Sequence, residues 1–385
     1  MMMKPLFIGD LKIDVPIIQG GMGVAVSLSG LASAVANQGG VGIISAAAIG
    51  MTEPGYRKKF HEANIRALRR EIRQARSQTK GVIGVNIMMA LTDHEALIKV
   101  AIEEEVDLIV IGAGLPLHIP RMIREAGLSG HHTKIIPKVS SAKAAHLIFR
   151  YWSEKYNTIP DAVVIEGPMA GGHLGFAKDK LDENRVPLTQ LVKDTVAVMQ
   201  NYRTAFNRNI PVIAGGGVHT GSDMYQVMQA GAQAVKIGTR FVTTQECDAS
   251  DAYKQAYIDA KEEDIVIIDS PLGLPGRVVK TKFVEQIMRG ETKPIYCPVK
   301  CMSSCNYKEA PYCIAQALYN SAIGDMDQGF AFAGTNAWRA TEINTVADVM
   351  NDLIVGFHQE VYQQQRKKSA ASSPQMAVPD TLFAI

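Results

Sequence analysis

A single histidine stands among glycines in the segment A-G-G-H-L-G, which covers residues 170–175 and follows the apolar run A-V-V-I-E-G. Glycine has no side chain, so both the backbone and the imidazole of His173 can approach a flat ligand closely. Imidazole titrates near neutral pH and is the side chain most often used for general acid–base catalysis. A loop histidine is usually only a polar surface residue, but the flanking glycines favour a functional interpretation. We therefore predict that His173 is catalytic.

Two other glycine-rich segments, A-G-G-G at 214–217 and K-I-G-T at 236–239, each end an apolar run. Such loops expose backbone N–H groups that can bind an anion such as a phosphate. The alternative is that these glycines only form tight turns. A phosphate site alone fits several ligand classes, including sugar phosphates and nucleotides.

Polar and small residues also end two earlier apolar runs. In I-I-Q-G-G-M-G, residues 17–23, Gln19 can form hydrogen bonds, while Gly20 and Gly21 permit close approach to a planar ring. Asn86 closes the run V-I-G-V-N, where a polar group can serve a ligand or cap a helix. We therefore expect both strand ends to contribute to a site.

Eight β-branched apolar runs alternate with segments of helical period, and these elements must position the residues above. The runs cover residues 15–20, 41–46, 82–88, 106–114, 133–140, 161–167, 210–217 and 232–239. Each is apolar on both faces, as is typical of parallel strands covered by helices. Glycine clusters follow five of the runs, and in a barrel all these ends gather on one face. We predict a (β/α)8 TIM barrel, with an open doubly wound sheet as the alternative.

The alternation stops after residue 247, which indicates a second unit. We predict a smaller, mainly helical lobe over residues 248–330, which contains the turn S-P-L-G-L-P-G-R and precedes a last helix at 344–362. The barrel then comprises residues 1–247 and 331–362. Residues 363–385 form a polar C-terminal tail, expected to be ordered only where it docks.

Four cysteines cluster in this lobe: Cys297, Cys301, Cys305 and Cys313. If the segment is helical, the first three share one face. Four thiolates can hold zinc or an iron–sulfur cluster, but the spacing lacks the C-x2-C pattern. Free cysteines also pack as small apolar residues. We expect reduced thiols and no metal here, and no role for Cys247.

Composition limits the class of protein. The 385 residues are 47% hydrophobic and 20% charged, with a formal net charge of +2. This composition is that of a soluble globular protein and gives no electrostatic reason to bind nucleic acid or an acidic membrane surface. No apolar run approaches the roughly 20 residues that span a bilayer, and the start lacks an apolar signal core. Five cysteines are too few for a disulfide scaffold. We expect a cytoplasmic protein that acts on a small molecule; a homodimer remains open.

The motifs together resemble a known family. G-G-M near the start, G-V-N at the third strand, E-G-x-x-A-G-G-H-x-G at the sixth, A-G-G-G at the seventh and K-I-G-T at the eighth occur in one order and spacing. They resemble the nitronate monooxygenases, formerly called 2-nitropropane dioxygenases, which are related to FMN-dependent enoyl-acyl-carrier-protein reductases and NADH:quinone reductases. The resemblance covers residues 5–285 and continues weakly through 329–339. The A-G-G-H-x-G block is the most specific part.

The resemblance implies an FMN cofactor across the C-terminal mouth of the barrel, with His173 over the reactive face of the flavin. There the histidine acts as a base on a neutral nitroalkane or positions an anionic nitronate. The residues that the resemblance places around the cofactor are Gly20, Gly21, Met22, Asn86, Glu166, Gly171, Gly216, Gly217, Lys236, Ile237, Gly238 and Thr239.

Three positions differ from the usual family pattern. Many nitronate monooxygenases have Gln where this chain has Glu166 and Glu where it has Met169. Glu166 is shared with the enoyl reductase branch. Lys236 stands where Gln is common, and either adds a cation near the phosphate or pairs with a structural carboxylate.

We favour oxidation of alkyl nitronates with O2 over NAD(P)H-dependent reduction of an enoyl thioester or a quinone. An acidic acyl-carrier protein would be expected to meet a basic patch. The nearest basic residues, Lys178, Lys180 and Arg185, are interspersed with Asp179, Asp182 and Glu183.

Two other classes of function remain as alternatives. The first is a non-redox phosphate-binding barrel enzyme, for which Lys138 is the candidate Schiff-base lysine. The second is a protein that binds flavin or metal without turnover.

Overall fold

The computed structural model describes residues 3–182, 186–293, 295–297 and 299–372. The strands are, in chain order, β1 (Leu6–Ile8), β2 (Leu11–Ile13), β3 (Ile17–Gln19), β4 (Val41–Ser45), β5 (Val82–Met88), β6 (Leu108–Gly112), β7 (Lys134–Val139), β8 (Val163–Glu166), β9 (Gly172–His173), β10 (Val212–Gly215), β11 (Ala234–Ile237), β12 (Ile265–Asp269) and β13 (Pro275–Val279). The helices are α1 (Ser29–Asn37), α2 (Phe60–Gln78), α3 (His94–Glu103), α4 (Ile119–Glu125), α5 (Ala142–Tyr156), α6 (Asp179–Asp182), α7 (Leu188–Phe206), α8 (Gly221–Gln229), α9 (Thr239–Val242), α10 (Asp251–Asp259), α11 (Lys282–Met288), α12 (Ile314–Ala322) and α13 (Val346–Ser372).

Eight strands close into a parallel barrel in the order β10-β11-β3-β4-β5-β6-β7-β8. They correspond one to one to the eight apolar runs, so the predicted (β/α)8 barrel is confirmed. The alternative of an open sheet is wrong, because β11 pairs with β3 and β10 with β8, which closes the ring. Each strand is apolar on both faces because one face lines the barrel interior and the other packs against the helices.

The barrel interior is a single apolar cluster, sealed at one end by a hairpin that the sequence analysis did not anticipate. Strands β1 and β2 pair in an antiparallel register. Their buried residues Leu6, Ile8 and Ile13 belong to the same cluster as inward-facing strand residues such as Ile18 and Val164. The N-terminal end of the barrel is therefore filled, and the C-terminal end is left as the mouth.

The segment 248–330 contains helices α10, α11 and α12 together with an antiparallel hairpin that we did not predict. Residues 270–274 of the S-P-L-G-L-P-G-R segment form the turn between β12 and β13, and its last three residues begin β13. Strand β13 then pairs with β9, with Gly276 opposite His173 and Arg277 opposite Gly172. A three-stranded sheet thus joins this segment to the loop after β8.

The first three clustered cysteines do not share a helix face, because the segment that contains them is not helical. The described residues from 295 to 305 contain no helix. Lys300 has a φ of +45°, in the left-handed region, which interrupts any helix there. The segment instead bonds to the loop after β5: Thr92 N–H donates to the Cys301 carbonyl at 3.2 Å. Backbone hydrogen bonds to the loop after β5, rather than helical hydrogen bonds, therefore set the conformation of this segment.

The last helix, α13, packs against α8 and α1 and completes the outer layer of the barrel. It continues beyond residue 362, where we ended it, as far as Ser372. The rest of the predicted tail, residues 373–385, lies outside the described residues. None of the helices in the described part of the chain combines the length and apolarity needed to cross a membrane.

Candidate active site

Three ionisable side chains form the innermost layer of the barrel mouth: Lys138 on β7, Glu166 on β8 and Lys236 on β11. Side chains two residues apart on a strand share a face, and these three follow the inward-facing Ile136, Val164 and Ala234. Lys138 Nζ donates to Glu166 Oε2 at 2.5 Å, and Lys236 Nζ lies 3.9 Å from Glu166 Oε1. Of the two roles considered for Lys236, the structure therefore shows the ion pair with a carboxylate, which is that of Glu166.

The charges in this layer are coupled. Burial opposes ionisation of Glu166, but Lys138 and Lys236 outweigh it and hold the pKa of the carboxyl below its ordinary value. Burial lowers the pKa of Lys236 to about 8, with Glu166 opposing the shift and Lys138 adding to it. Two ammonium groups and one carboxylate leave one net positive charge, which favours an anionic group in the mouth.

His173 lies above this layer and is held by the segment inserted between the barrel and its last helix. Its Nε2 is 2.8 Å from the Ser270 hydroxyl, in the turn after β12. Its ring meets the edge of Phe332 with a centroid separation of 5.0 Å. Burial and the nearby Lys138 charge lower the pKa of His173 to about 4. The imidazole is therefore neutral at physiological pH.

The loop that carries His173 is fixed by a buried arginine from β13. The Arg277 guanidinium donates to the carbonyl oxygens of Pro168 and Ala170, each at 2.6 Å. Gly171 packs against backbone, because a Cβ there would lie 2.5 Å from the Ala333 carbonyl carbon. Glycine is therefore needed at position 171 because the segment that contains Ala333 packs against the loop. This reason was not identified from sequence.

The glycine loops after β10 and β11 owe their composition to close backbone approach. Gly216 and Gly217 have φ values of +91° and +100°, which favour glycine. A Cβ on Gly216 would lie 2.7 Å from the Gly167 carbonyl oxygen, and one on Gly20 would lie 3.1 Å from Gly238 Cα. These loops therefore expose backbone to the mouth, as the motifs predict.

One cavity of about 540 Å³ fills the mouth and brings all the predicted site residues together. Its size is within the range of ordinary cofactor and ligand sites. Its lining includes Gly20, Gly21, Met22, Asn86, Glu166, Gly171, His173, Gly216, Gly217, Lys236, Ile237, Gly238 and Thr239. The structure thus places them in one site, while their individual roles in binding stay predictions.

Two polar groups considered from sequence are committed to the protein itself. Gln19 is buried; its Oε1 accepts from Ile43 N–H at 2.8 Å and its Nε2 donates to the Gly20 carbonyl. It braces the barrel and does not line the cavity. The Thr239 hydroxyl accepts from Gly334 N–H at 3.1 Å, although Thr239 also lines the cavity.

The end of the cavity beside the loop after β10 contains a buried polar atom without a partner. His219 Nδ1 has no hydrogen-bond partner, while its backbone N–H donates to Asp223 Oδ2 at 3.0 Å. Burial and the charges of Arg240 and Arg339 lower the pKa of this imidazole to about 4. A free imidazole nitrogen in a positive environment can donate to an anion. Sequence reasoning missed His219, although it directly follows the G-G-G-V segment.

The clustered cysteines lie beside the same mouth. All four line a second, smaller cavity, and Cys301 also lines the main one. Among the described residues, no group of three or more His, Cys, Asp or Glu side chains is arranged to hold a single metal ion. Cys247 is buried apart from them, with its thiol donating to the Val26 carbonyl.

A closed barrel with glycine-rich loops and a charged, histidine-capped mouth is the arrangement of a barrel enzyme with its site at the C-terminal face. The chain belongs to the nitronate monooxygenase family, because the family model described as "Nitronate monooxygenase" matches residues 4–356. A probable nitronate monooxygenase of Staphylococcus aureus is 27% identical over 89% of this chain and 95% of its own length.

Two further proteins are similar over most of the chain. The solved structure of FabK from Thermotoga maritima is 30% identical, covers 91% of this chain and 95% of its own, and has a TM-score of 0.70. A (3aS,4S,5R,7aS)-5-hydroxy-7a-methyl-1-oxo-octahydro-1H-indene-4-carboxyl-CoA dehydrogenase of Mycobacterium tuberculosis is 29% identical over 73% of this chain and 67% of its own length.

Family membership overturns two of the alternatives drawn from sequence. The non-redox phosphate-binding enzyme is wrong, and its candidate Schiff-base residue, Lys138, is ion-paired with Glu166. A protein without turnover is also excluded, since the family is one of oxidoreductases.

Proposed function

We propose that this protein is a nitronate monooxygenase that binds FMN in the barrel mouth and oxidises alkyl nitronates with O2. The observation that carries the proposal is a neutral His173 above a buried layer with one net positive charge. An alkyl nitronate is already an anion, so it needs attraction and orientation rather than a strong base. When bound, FMN would supply the redox chemistry and the reaction with O2.

The residues present fit FMN. The glycine loops after β10 and β11 leave backbone accessible to a phosphate, and His219 Nδ1 offers a donor there without a partner. Gly21 would carry a Cβ only 2.4 Å from Asn86 Cβ, so the wall beside Asn86 is flat enough for a ring system. Lys138 and Lys236 would face the polar edge of such a ring.

The chain's own groups then have separate tasks. The positive layer attracts the nitronate into an enclosed mouth, where electrostatic attraction is stronger than in water. His173 donates a hydrogen bond to a nitro oxygen through Nδ1–H, the ring nitrogen that Ser270 leaves available. With a pKa of about 4, the imidazole is a weak base. Deprotonation of a neutral nitroalkane is therefore expected to be slower than turnover of the preformed nitronate.

The test is oxygen uptake by the yellow holoenzyme with propyl nitronate, beside neutral nitropropane and beside NADH or NADPH alone. Rapid uptake with the nitronate, and slower uptake with the nitroalkane, is the expected result. Flavin that is reduced by NAD(P)H but by neither nitro compound would contradict the proposal. Exposed Lys99 provides a matched control for lysine variants of the mouth, because it lies on α3, away from the mouth.

Reduction of an acyl thioester with NAD(P)H is the second candidate. Glu166 favours it, and the outer wall of the cavity includes the leucines Leu272, Leu274 and Leu318, which suit an acyl chain. The Mycobacterium tuberculosis relative is named as acting on a carboxyl-CoA. Several charged residues were considered from sequence as a docking surface for an acyl-carrier protein. Of these, Glu183 and Arg185 lie outside the described residues, and Lys178 pairs with Asp269. NAD(P)H-dependent reduction of a crotonyl thioester without nitronate-dependent oxygen uptake would establish this candidate instead. NADH:quinone reduction is tested in the same assay with a soluble quinone.

A further inference from the structure

The four clustered cysteines have no part in the function proposed above. We propose that Cys297, Cys301, Cys305 and Cys313 bind an iron–sulfur cluster beside the barrel mouth. This replaces our expectation of metal-free thiols, and it does not depend on which substrate the enzyme oxidises or reduces.

The fold gathers the four clustered cysteines around one cavity. All four line one cavity, although the first three lie in an irregular segment and Cys313 immediately precedes α12. None forms a disulfide bond. Four thiolates gathered around one cavity are the ligand set of an iron–sulfur cluster.

The surroundings suit cluster thiolates. Cys313 is the N-cap of α12. A helix N-terminus stabilises a thiolate. Ile295 and Ile314 also line the cavity and limit its contact with water.

The arrangement of the four thiols does not match a site for one zinc ion. A structural zinc site requires four sulfurs about 2.3 Å from a single point. No such single-ion arrangement is present within the described ranges of the chain. An iron–sulfur cluster binds each thiolate at a different iron, so its sulfur ligands stand farther apart.

The backbone holds the proposed ligands against the barrel. Leu91 and Met302 form an antiparallel bridge, and Ser303 N–H donates to the Ala90 carbonyl at 2.9 Å. Cys301 immediately precedes the two residues that make these contacts, and it lines both cavities. The cluster would therefore share a wall with the proposed flavin site.

The experiment is metal and sulfide analysis of the full chain, expressed with iron and purified without oxygen or chelators. We expect iron and acid-labile sulfide in equal molar amounts, together with a paramagnetic signal after reduction with dithionite. Stoichiometric zinc without sulfide would overturn the proposal. So would four thiols per chain titratable in the unfolded protein with no bound metal, in addition to Cys247.

Variants separate ligation from folding. Cys297→Ser and Cys305→Ser, at partly exposed positions, should lose the iron signal and keep the flavin, while Cys247→Ser should keep both. Full iron content in both ligand variants would contradict the assignment. If the ligand variants are insoluble, the wild-type iron and sulfide content alone decides. Loss of flavin or of nitronate turnover in a protein that retains its cluster would count against the proposed function only.

Discussion

His173 Nε2 lies 2.8 Å from the hydroxyl oxygen of Ser270, 97 residues further along the chain. The serine belongs to the hairpin of the inserted segment, whereas the histidine belongs to the loop after a barrel strand. The contact fixes which ring nitrogen of the imidazole remains available to a substrate. Ser270 is therefore a positioning residue, and its effect on turnover can be measured separately from that of His173.

Replacement of Ser270 by Ala removes the contact with His173 and the hydrogen bond that Leu272 N–H donates to the serine hydroxyl. Loss of the contact with His173, at about 0.5–1.5 kcal/mol, should lower kcat by about 2- to 13-fold. Steady-state oxygen uptake with propyl nitronate measures the change. Ser270→Thr should restore most of the rate because it retains the hydroxyl. Ser153→Ala removes an exposed helix hydroxyl and is the control for a general effect of serine loss. An unchanged kcat in Ser270→Ala would show that the contact does not orient the imidazole.

The pH dependence of turnover should show no titration of His173 in the neutral range. Its pKa is lowered to about 4, so the imidazole is already neutral throughout the range from about pH 5 to about pH 8. We expect kcat/KM for a preformed nitronate to have the same shape in wild type and in His173→Gln over that range, at a lower level in the variant. A break near pH 6.5 that is present only in the wild type would contradict the environment described here.

The pH dependence of KM should instead show the titration of Lys236. Its pKa is lowered to about 8, so its positive charge is present below that pH and is lost as the pH rises through it. Attraction of an anionic substrate then weakens, and KM for propyl nitronate should rise between about pH 7 and about pH 9. In Lys236→Met the KM should be high already at pH 7 and should not change further, whereas Lys99→Met should behave as wild type. A wild-type KM that is constant across this range would argue against the role of Lys236.

Two glycine variants distinguish contact with FMN from backbone strain. Gly238 has no positive φ, and a Cβ there would meet Met22 Sδ at an ordinary 3.4 Å. Gly238→Ala should fold with an unchanged Tm and bind FMN more weakly. Gly217, with φ +100°, should lose Tm as well when replaced by Ala. Flavin fluorescence titration and thermal unfolding of both apoproteins measure the two effects. Wild-type FMN affinity in Gly238→Ala would place the phosphate elsewhere.

The barrel could be predicted from sequence because its signals are local. A strand such as Val82–Met88 is buried on both faces, so its apolar run is continuous and recognisable. The glycine segments were equally readable, since Gly216 and Gly217 need positive φ values that other residues rarely adopt.

The features that were missed depend on distant partners. The pairing of Lys138 with Glu166 follows from strand order, and Ser270 reaches His173 only through a hairpin of the insert. The segment of Cys297, Cys301 and Cys305 is not helical in its described residues, and its backbone bonds instead to the loop near Thr92. Local helix and strand propensities cannot predict such contacts, because they contain no information about the distant segments that pack against a given stretch of chain.

Because β13 pairs with β9, the inserted segment positions His173 at the mouth of the barrel. The hairpin supplies the strand beside His173, and its turn supplies Leu272 and Leu274 to the cavity wall. The barrel and the hairpin that borders its cavity are therefore distinct parts of the chain. An exchange of residues 265–279 between relatives could redirect substrate choice while the barrel, with its glycine loops, stays unaltered.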